Sequence, residues 1–190
     1  MPLLCLFLYF LAQIQVIEFK FLPKIAIMVP MFPVPNEAPP RWVKLNKSPA
    51  CVGANGDYFG RFSYPKNIFV SSFMLVHRSG TVTCDKKGYS YWGCAPNVNG
   101  FSVLLTDQNN EILAPETSTP VSKGGWYHLA GSGADYSSSS SVLVFCAKKK
   151  PQCVLANGEL RLWYGEDLRG PGSESDNGGK TCADVYGQLA

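Results

Sequence analysis

Residues 68–84 read IFVSSFMLVHRSGTVTC, and the reading of this stretch decides the fold. Ile68 to His77 is rich in β-branched and aromatic side chains, which suit a half-buried pleated surface. Ser79-Gly80 reads as a turn, and Thr81-Val82-Thr83-Cys84 as a returning strand. Working outward, Asp57 to Tyr64 alternates roughly and Pro65-Lys66-Asn67 breaks it. Downstream, FSVLLTDQNNEIL at 101–113 sets Asp107-Gln108-Asn109-Asn110 between two apolar runs, a hairpin signature. Trp126–Leu129, Val142–Ala147, Glu159–Tyr164 and Thr181–Leu189 bring the total to about eight strands. After Cys51 no apolar set keeps an i, i+3, i+4, i+7 spacing over a helix length. The pattern predicts an all-β chain folded as a single antiparallel β-sandwich, jelly-roll-like.

Composition agrees with that fold and narrows the function. Of 190 residues 46% are hydrophobic and 13% aromatic, enough for a real core. Only 16% are charged, and the net charge of +3 is too small and too scattered for a nucleic-acid face. The one basic cluster, Lys148-Lys149-Lys150, reads as a solvated loop tip. Ser137 to Ser141 has no apolar face to bury and reads as an exposed loop.

The chain has seven cysteines, of which Cys5 lies in an apolar leader. The remaining Cys51, Cys84, Cys94, Cys146, Cys153 and Cys182 form an even set, as a disulfide framework in an oxidising compartment requires. Cys84 with Cys94 and Cys146 with Cys153 each flank a short loop, and Cys51 with Cys182 would join the first and last strands. Other pairings stay open, because six cysteines allow about fifteen.

Residues 1–18 read as a signal peptide, since the apolar run Pro2–Ile14 is shorter than a membrane-spanning helix. Membrane association follows only if that segment stays uncleaved as an anchor. Residues 19–50, with Pro30, Pro33, Pro35, Pro39 and Pro40, read as a Pro-rich linker, and 51–190 as the sandwich domain. Asn46-Lys47-Ser48 is a glycosylation triplet followed by Pro49.

No catalytic motif is present. His77 and His128 sit in strand-like runs and read as packing residues, and there is no nucleophile elbow, zinc-protease motif or phosphate loop. The Cys84–Cys94 spacing does not match a zinc knuckle. The chain is therefore read as not an enzyme. Two sets of residues remain that could bind. Glu166, Asp167, Glu174, Asp176 and Asn177 supply hard oxygen ligands in one loop, the donor type Ca²⁺ takes, though the same residues also suit a plain polar turn. Tyr89, Tyr91, Trp92, Trp163 and Tyr164 offer flat apolar faces of the kind that stack on sugar rings, or else pack in the core.

The segments SSFMLVHRSGTVTC, YWGC, ELRLWYGEDL and DNGGKTCADVY, taken together, resemble a cysteine-containing extracellular domain of cnidarian secreted proteins, some of them from skeletal organic matrix. That resemblance spans about Cys51 to Ala190 and implies secretion. Thr181 to Tyr186 also resembles the last strand of fucose-binding jelly rolls, but the sugar-ligating His and Arg pattern of those lectins is not found here. The expectation is a secreted binding or adhesion module whose partner is an extracellular glycan, with Ca²⁺ as a possible cofactor. The alternative is a structural matrix component that contacts other matrix proteins and has no discrete ligand site.

Overall fold

The stretch 68–83 folds as one strand. The computed structural model describes residues 39–94, 100–116, 121–129, 136–146, 151–169 and 174–190, with only the backbone of Cys146. The leader, most of the Pro-rich segment and Lys148 to Lys150 lie outside these. In chain order the strands are β1 Trp42–Lys44, β2 Ala50–Gly53, β3 Gly60–Ser63, β4 Ile68–Thr83, β5 Val103–Asp107, β6 Ile112–Ala114, β7 Val142–Cys146, β8 Gln152–Val154, β9 Glu159–Tyr164 and β10 Gly178–Leu189. One short helix, α1 Gly165–Arg169, follows β9. Among the described residues no helix is long and apolar enough to cross a membrane.

Two antiparallel sheets result. The larger runs β1-β10-β4-β7, with β2 extending the β1 edge and β8 extending the β7 edge; the smaller runs β3-β9-β5-β6. The all-β antiparallel sandwich expected from the sequence is the observed architecture. Between the sheets, Val70, Phe73 and Leu75 of β4 and Ala183 and Val185 of β10 are buried with Val103, Leu105, Leu160, Leu162 and Tyr164 of the smaller sheet. Each such Val, Leu or Phe stabilises the fold by about 1.5–3 kcal/mol through area removed from water.

Several local expectations are corrected. Ser79-Gly80 is no turn: β4 runs straight through it, opposite Cys182 and Thr181 of β10, with a register shift just beyond at Cys182/Ala183. Gly80 adopts φ 78°, and a Cβ there would overlap the Lys180 carbonyl, so only glycine lets the two long strands stay paired. Trp126–Leu129 is not a strand but contributes a single bridge, Tyr127 to Phe101. The sheet also starts earlier than Cys51. Trp42 to Lys44 pair with Gln188 to Tyr186, so the last part of the supposed linker is strand.

Asn46 shows why that entry segment is fixed. It is 2% exposed, its amide donates to the carbonyls of Ala183 at 2.9 Å and Ser48 at 3.0 Å, and its oxygen accepts from Val185 N at 2.8 Å. Asn46 is thus a buried pin on β10, and its side-chain nitrogen is committed rather than offered for glycosylation. Lys44 and Arg78 converge on the buried Asp184 at 2.8 and 2.6 Å, tying β1 and β4 to β10.

The serine run is docked rather than free. Ser138 is buried, and its carbonyl accepts from Tyr91 N at 2.9 Å and Trp92 N at 3.0 Å; the Ser140 carbonyl accepts from Trp92 Nε1 at 2.5 Å. What the run lacks in apolar surface it supplies in carbonyl acceptors. Cys51 is bonded to Cys182, its direct cross-strand partner, and Cys84 to Cys94. The third expected pair does not form: Cys153 is a free, exposed thiol. In the backbone Cys146 lies opposite Ser72 and Cys153 opposite Phe69, so the two cysteines follow one another along the same edge of β4 instead of facing across a hairpin.

Candidate functional site

At the end of β9 the chain turns through α1 into the acidic loop. The position of this turn is set by a backbone contact between two glycines. Gly165 N donates to the Ser102 carbonyl at 2.6 Å, and a Cβ on Gly165 or Gly125 would overlap the other residue's backbone. Gly125, with φ 76°, occupies the left-handed region that glycine adopts without a steric cost. This close approach sets Trp126 against Glu166, with Nε1 donating to Oε1 at 3.3 Å and the indole edge-on to Tyr164 at 5.9 Å.

The rest of the loop is tied to its neighbours by side chains. The other oxygen of Glu166 accepts from the amide of Asn177, which is 4% exposed. Glu174 accepts from Gly56 N at 2.7 Å, and its carbonyl from the Asn55 amide at 2.9 Å. Lys86 donates to the Ser175 carbonyl at 2.5 Å. Loops from β2–β3, β4–β5 and β9–β10 therefore meet at one end of the sandwich, the surface where binding residues can vary without disturbing the core.

Asp167 is the anomaly within this cluster. Both its carboxylate oxygens are buried, and the group they meet is the carboxyl of Glu174, not a cation or an N–H donor. Burial, then the charge of Glu174 and a hydrogen bond shared with it, and then the charges of Asp57 and Glu166 push its carboxyl up to about 7. The Tyr164 phenol is pushed up as well, by burial first and then by Glu166 and Asp167, with a further contribution from Asp176. A buried carboxylate is normally paired or bound to a metal, and here its nearest charged neighbours are other carboxylates. The donor set is hard oxygen throughout, which fits Ca²⁺ and not a soft or redox-active metal.

The structure thus brings together Glu166, Asp167, Glu174 and Asn177, while Asp176 sits exposed on the turn beside them. Sequence reasoning missed Asp57, Asn55 and Trp126. The turn signal Asn55-Gly56-Asp57 carried the oxygen donors, but nothing in the sequence placed it against Glu174. Among the described residues, the trio of possible ligands with atoms mutually within 4.8 Å is Cys84, Asp85 and Cys94, where the sulfurs are already bonded to each other. No three of the acidic side chains, among the described residues, have ligand atoms mutually within that distance.

The aromatic candidates divide. Trp92 and Tyr164 are fully buried, and Trp163 is 6% exposed beneath Phe59, which stacks on it at 4.1 Å; none presents a ring face outward. Tyr91 stacks on His77 at 3.8 Å. Tyr89 is 54% exposed, and Tyr58, next to Asp57, is 62% exposed. With the half-buried Trp126, these are the rings at the loop end that solvent can reach.

No family model matches the chain, and no curated protein does. Among solved structures, AJLec, a lectin from the sea anemone Anthopleura japonica, superposes with a TM-score of 0.68 at 34% identity, over 79% of this chain and 98% of that one. The cnidarian side of the sequence resemblance agrees with this neighbour. At that identity, with nearly the whole of AJLec matched, the chain belongs to the family of this sea-anemone lectin.

Proposed function

We propose that the protein is a secreted carbohydrate-binding module whose loop end holds Ca²⁺ and a glycan together. The observation that carries the reading is the buried carboxyl of Asp167, which meets Glu174, Glu166 and Asp57 and no cation or N–H donor. Such a group is costly without a cation and becomes a ligand with one. Glu166, Asp167 and Glu174 would hold the ion, with Asp57, Asp176 and Asn177 at its margin. Bound Ca²⁺ would supply open coordination positions for sugar hydroxyls.

The chain's own residues do the rest. Trp126 and Asn177 orient Glu166, and Gly56 N orients Glu174. Tyr58 and Tyr89 offer exposed rings to the apolar face of a pyranose. The family of a sea-anemone lectin supports sugar as the ligand class, and the bridges Cys51–Cys182 and Cys84–Cys94 support an extracellular setting.

The test is a glycan array probed in millimolar Ca²⁺ and again in EDTA. Signal that appears with Ca²⁺ and disappears with EDTA is the expected result. Silence in both conditions would sink the sugar reading, and equal signal in both would remove Ca²⁺ from it.

A further inference from the structure

On the outer face of the smaller sheet, β3 and β9 place Arg61 directly opposite Arg161. Like charges in directly opposed positions destabilise a strand pair. Both guanidiniums lie over one ring, 4.8 Å and 5.0 Å from the centroid of Phe59. Beyond that shared contact their situations differ. Arg161 has its own anion, with Nε 2.6 Å from Glu159 Oε1, and its NH1 donates to Asn110 Oδ1 at 2.8 Å. Arg61 is exposed and, among the described residues, forms no ion pair.

Arg61 also borders a shallow recess of about 270 Å³, whose other walls are Phe62, Ser63, Asn157 and Glu159. The recess has room for a single sugar residue. Its walls carry a cation, Arg61, together with the hydroxyl of Ser63 and the amide of Asn157, donor types that a tetrahedral oxyanion uses. Its carboxylate, Glu159, is already engaged by Arg161, so the charge left over is positive.

We propose that this recess is a second ligand site, which takes the sulfate ester of an extracellular glycan on Arg61. The anion supplies the counter-charge that Glu159 gives Arg161, and it relieves the opposed arginine pair. The sugar part of the proposal rests on the carbohydrate-binding reading above; the anion part does not, and it needs no Ca²⁺.

The test is surface plasmon resonance in EDTA with a sulfated heparin-derived tetrasaccharide, its desulfated counterpart, and inorganic sulfate as competitor. The sulfated sugar should bind and the desulfated one should not, with affinity falling as salt rises. Arg61→Ala should weaken binding about tenfold or more, the loss of a charge-assisted hydrogen bond. Arg61→Lys should recover part of it, and Asp167→Asn should leave it unchanged. The melting temperature of Arg61→Ala should stay close to that of the wild type, because loss of the Phe59 ring contact offsets removal of the like-charge contact. Equal binding by Arg61→Ala, or by the desulfated sugar, would overturn the site. Inorganic sulfate binding as tightly as the tetrasaccharide would overturn the sugar part alone. Sulfated binding in EDTA without any Ca²⁺-dependent array signal would keep this site and remove the other.

Discussion

Replacing Asp167 by Asn keeps the shape of the side chain and removes its charge. In the folded protein the carboxyl is raised to about 7 from the ordinary 3.8, first by burial and then by Glu174. The folded state therefore holds a proton that the unfolded chain releases above pH 4. Stability from this group is full at low pH, declines as pH rises from about 4 to 7, and is fully lost above that. Proton linkage at about 1.36 kcal/mol per pH unit sets a ceiling near 4 kcal/mol. The loop lies at the surface, so solvent screening reduces that to on the order of 2 kcal/mol. At pH 8 without Ca²⁺, Asp167→Asn should therefore melt about 4–8 °C above the wild type. With Ca²⁺ at a hundredfold excess over Kd the order should invert, because binding to the folded state adds about 2.7 kcal/mol to the wild type alone. Calorimetry at pH 5 and pH 8, with and without Ca²⁺, checks all four conditions. A variant that melts below the wild type at pH 8 in EDTA would refute the idea of an uncompensated carboxylate. A variant that keeps the full Ca²⁺ shift would refute the role of Asp167 as a ligand.

Three further outcomes follow from the same structure. Ca²⁺ affinity measured by calorimetric titration should weaken as pH falls below about 7, where a proton competes for Asp167; affinity unchanged between pH 5 and pH 8 would contradict this. Asn46→Ala strands Val185 N and the Ala183 carbonyl on β10 and should cost about 2–3 kcal/mol by urea unfolding, and a loss under 0.5 kcal/mol would show the pin to be dispensable. Alkylation of unreduced native protein should label Cys153 and leave Cys51, Cys84, Cys94 and Cys182 unmodified, as read by peptide mass spectrometry. Label on any of those four would contradict the pairing.

Much of the sandwich could be read from local chemistry. Alternation marked β9 and an apolar run β5, and the polar turn Asp107 to Asn110 does close β5 onto β6, with Asp107 Oδ1 accepting from Asn109 N and Glu111 N. Cys51 and Cys182 were legible as neighbours because first and last strands often lie side by side. The failures share one cause, dependence on a distant partner. Ser79-Gly80 has turn composition, but the long pairing with β10 overrides it. Trp42-Val43-Lys44 and Gln152-Cys153-Val154 are too short to show a period and are strands only because β10 and β4 offer them an edge. Trp163 looks like a sugar platform until Phe59 covers it. The acidic loop was visible as a set of oxygens; its partners Asp57 and Trp126 were not, since they reach it through a β2–β3 turn and a glycine–glycine contact that no spacing reports.

The claim that one loop end holds both ion and sugar is tested most directly by a crystal structure grown in Ca²⁺ with the strongest array glycan. The expected density is a cation ~2.4 Å from carboxylate oxygens of Glu166, Asp167 and Glu174, with sugar oxygens completing its shell. A glycan bound elsewhere on the protein, with Asp167 still buried and without a ligand, would contradict it.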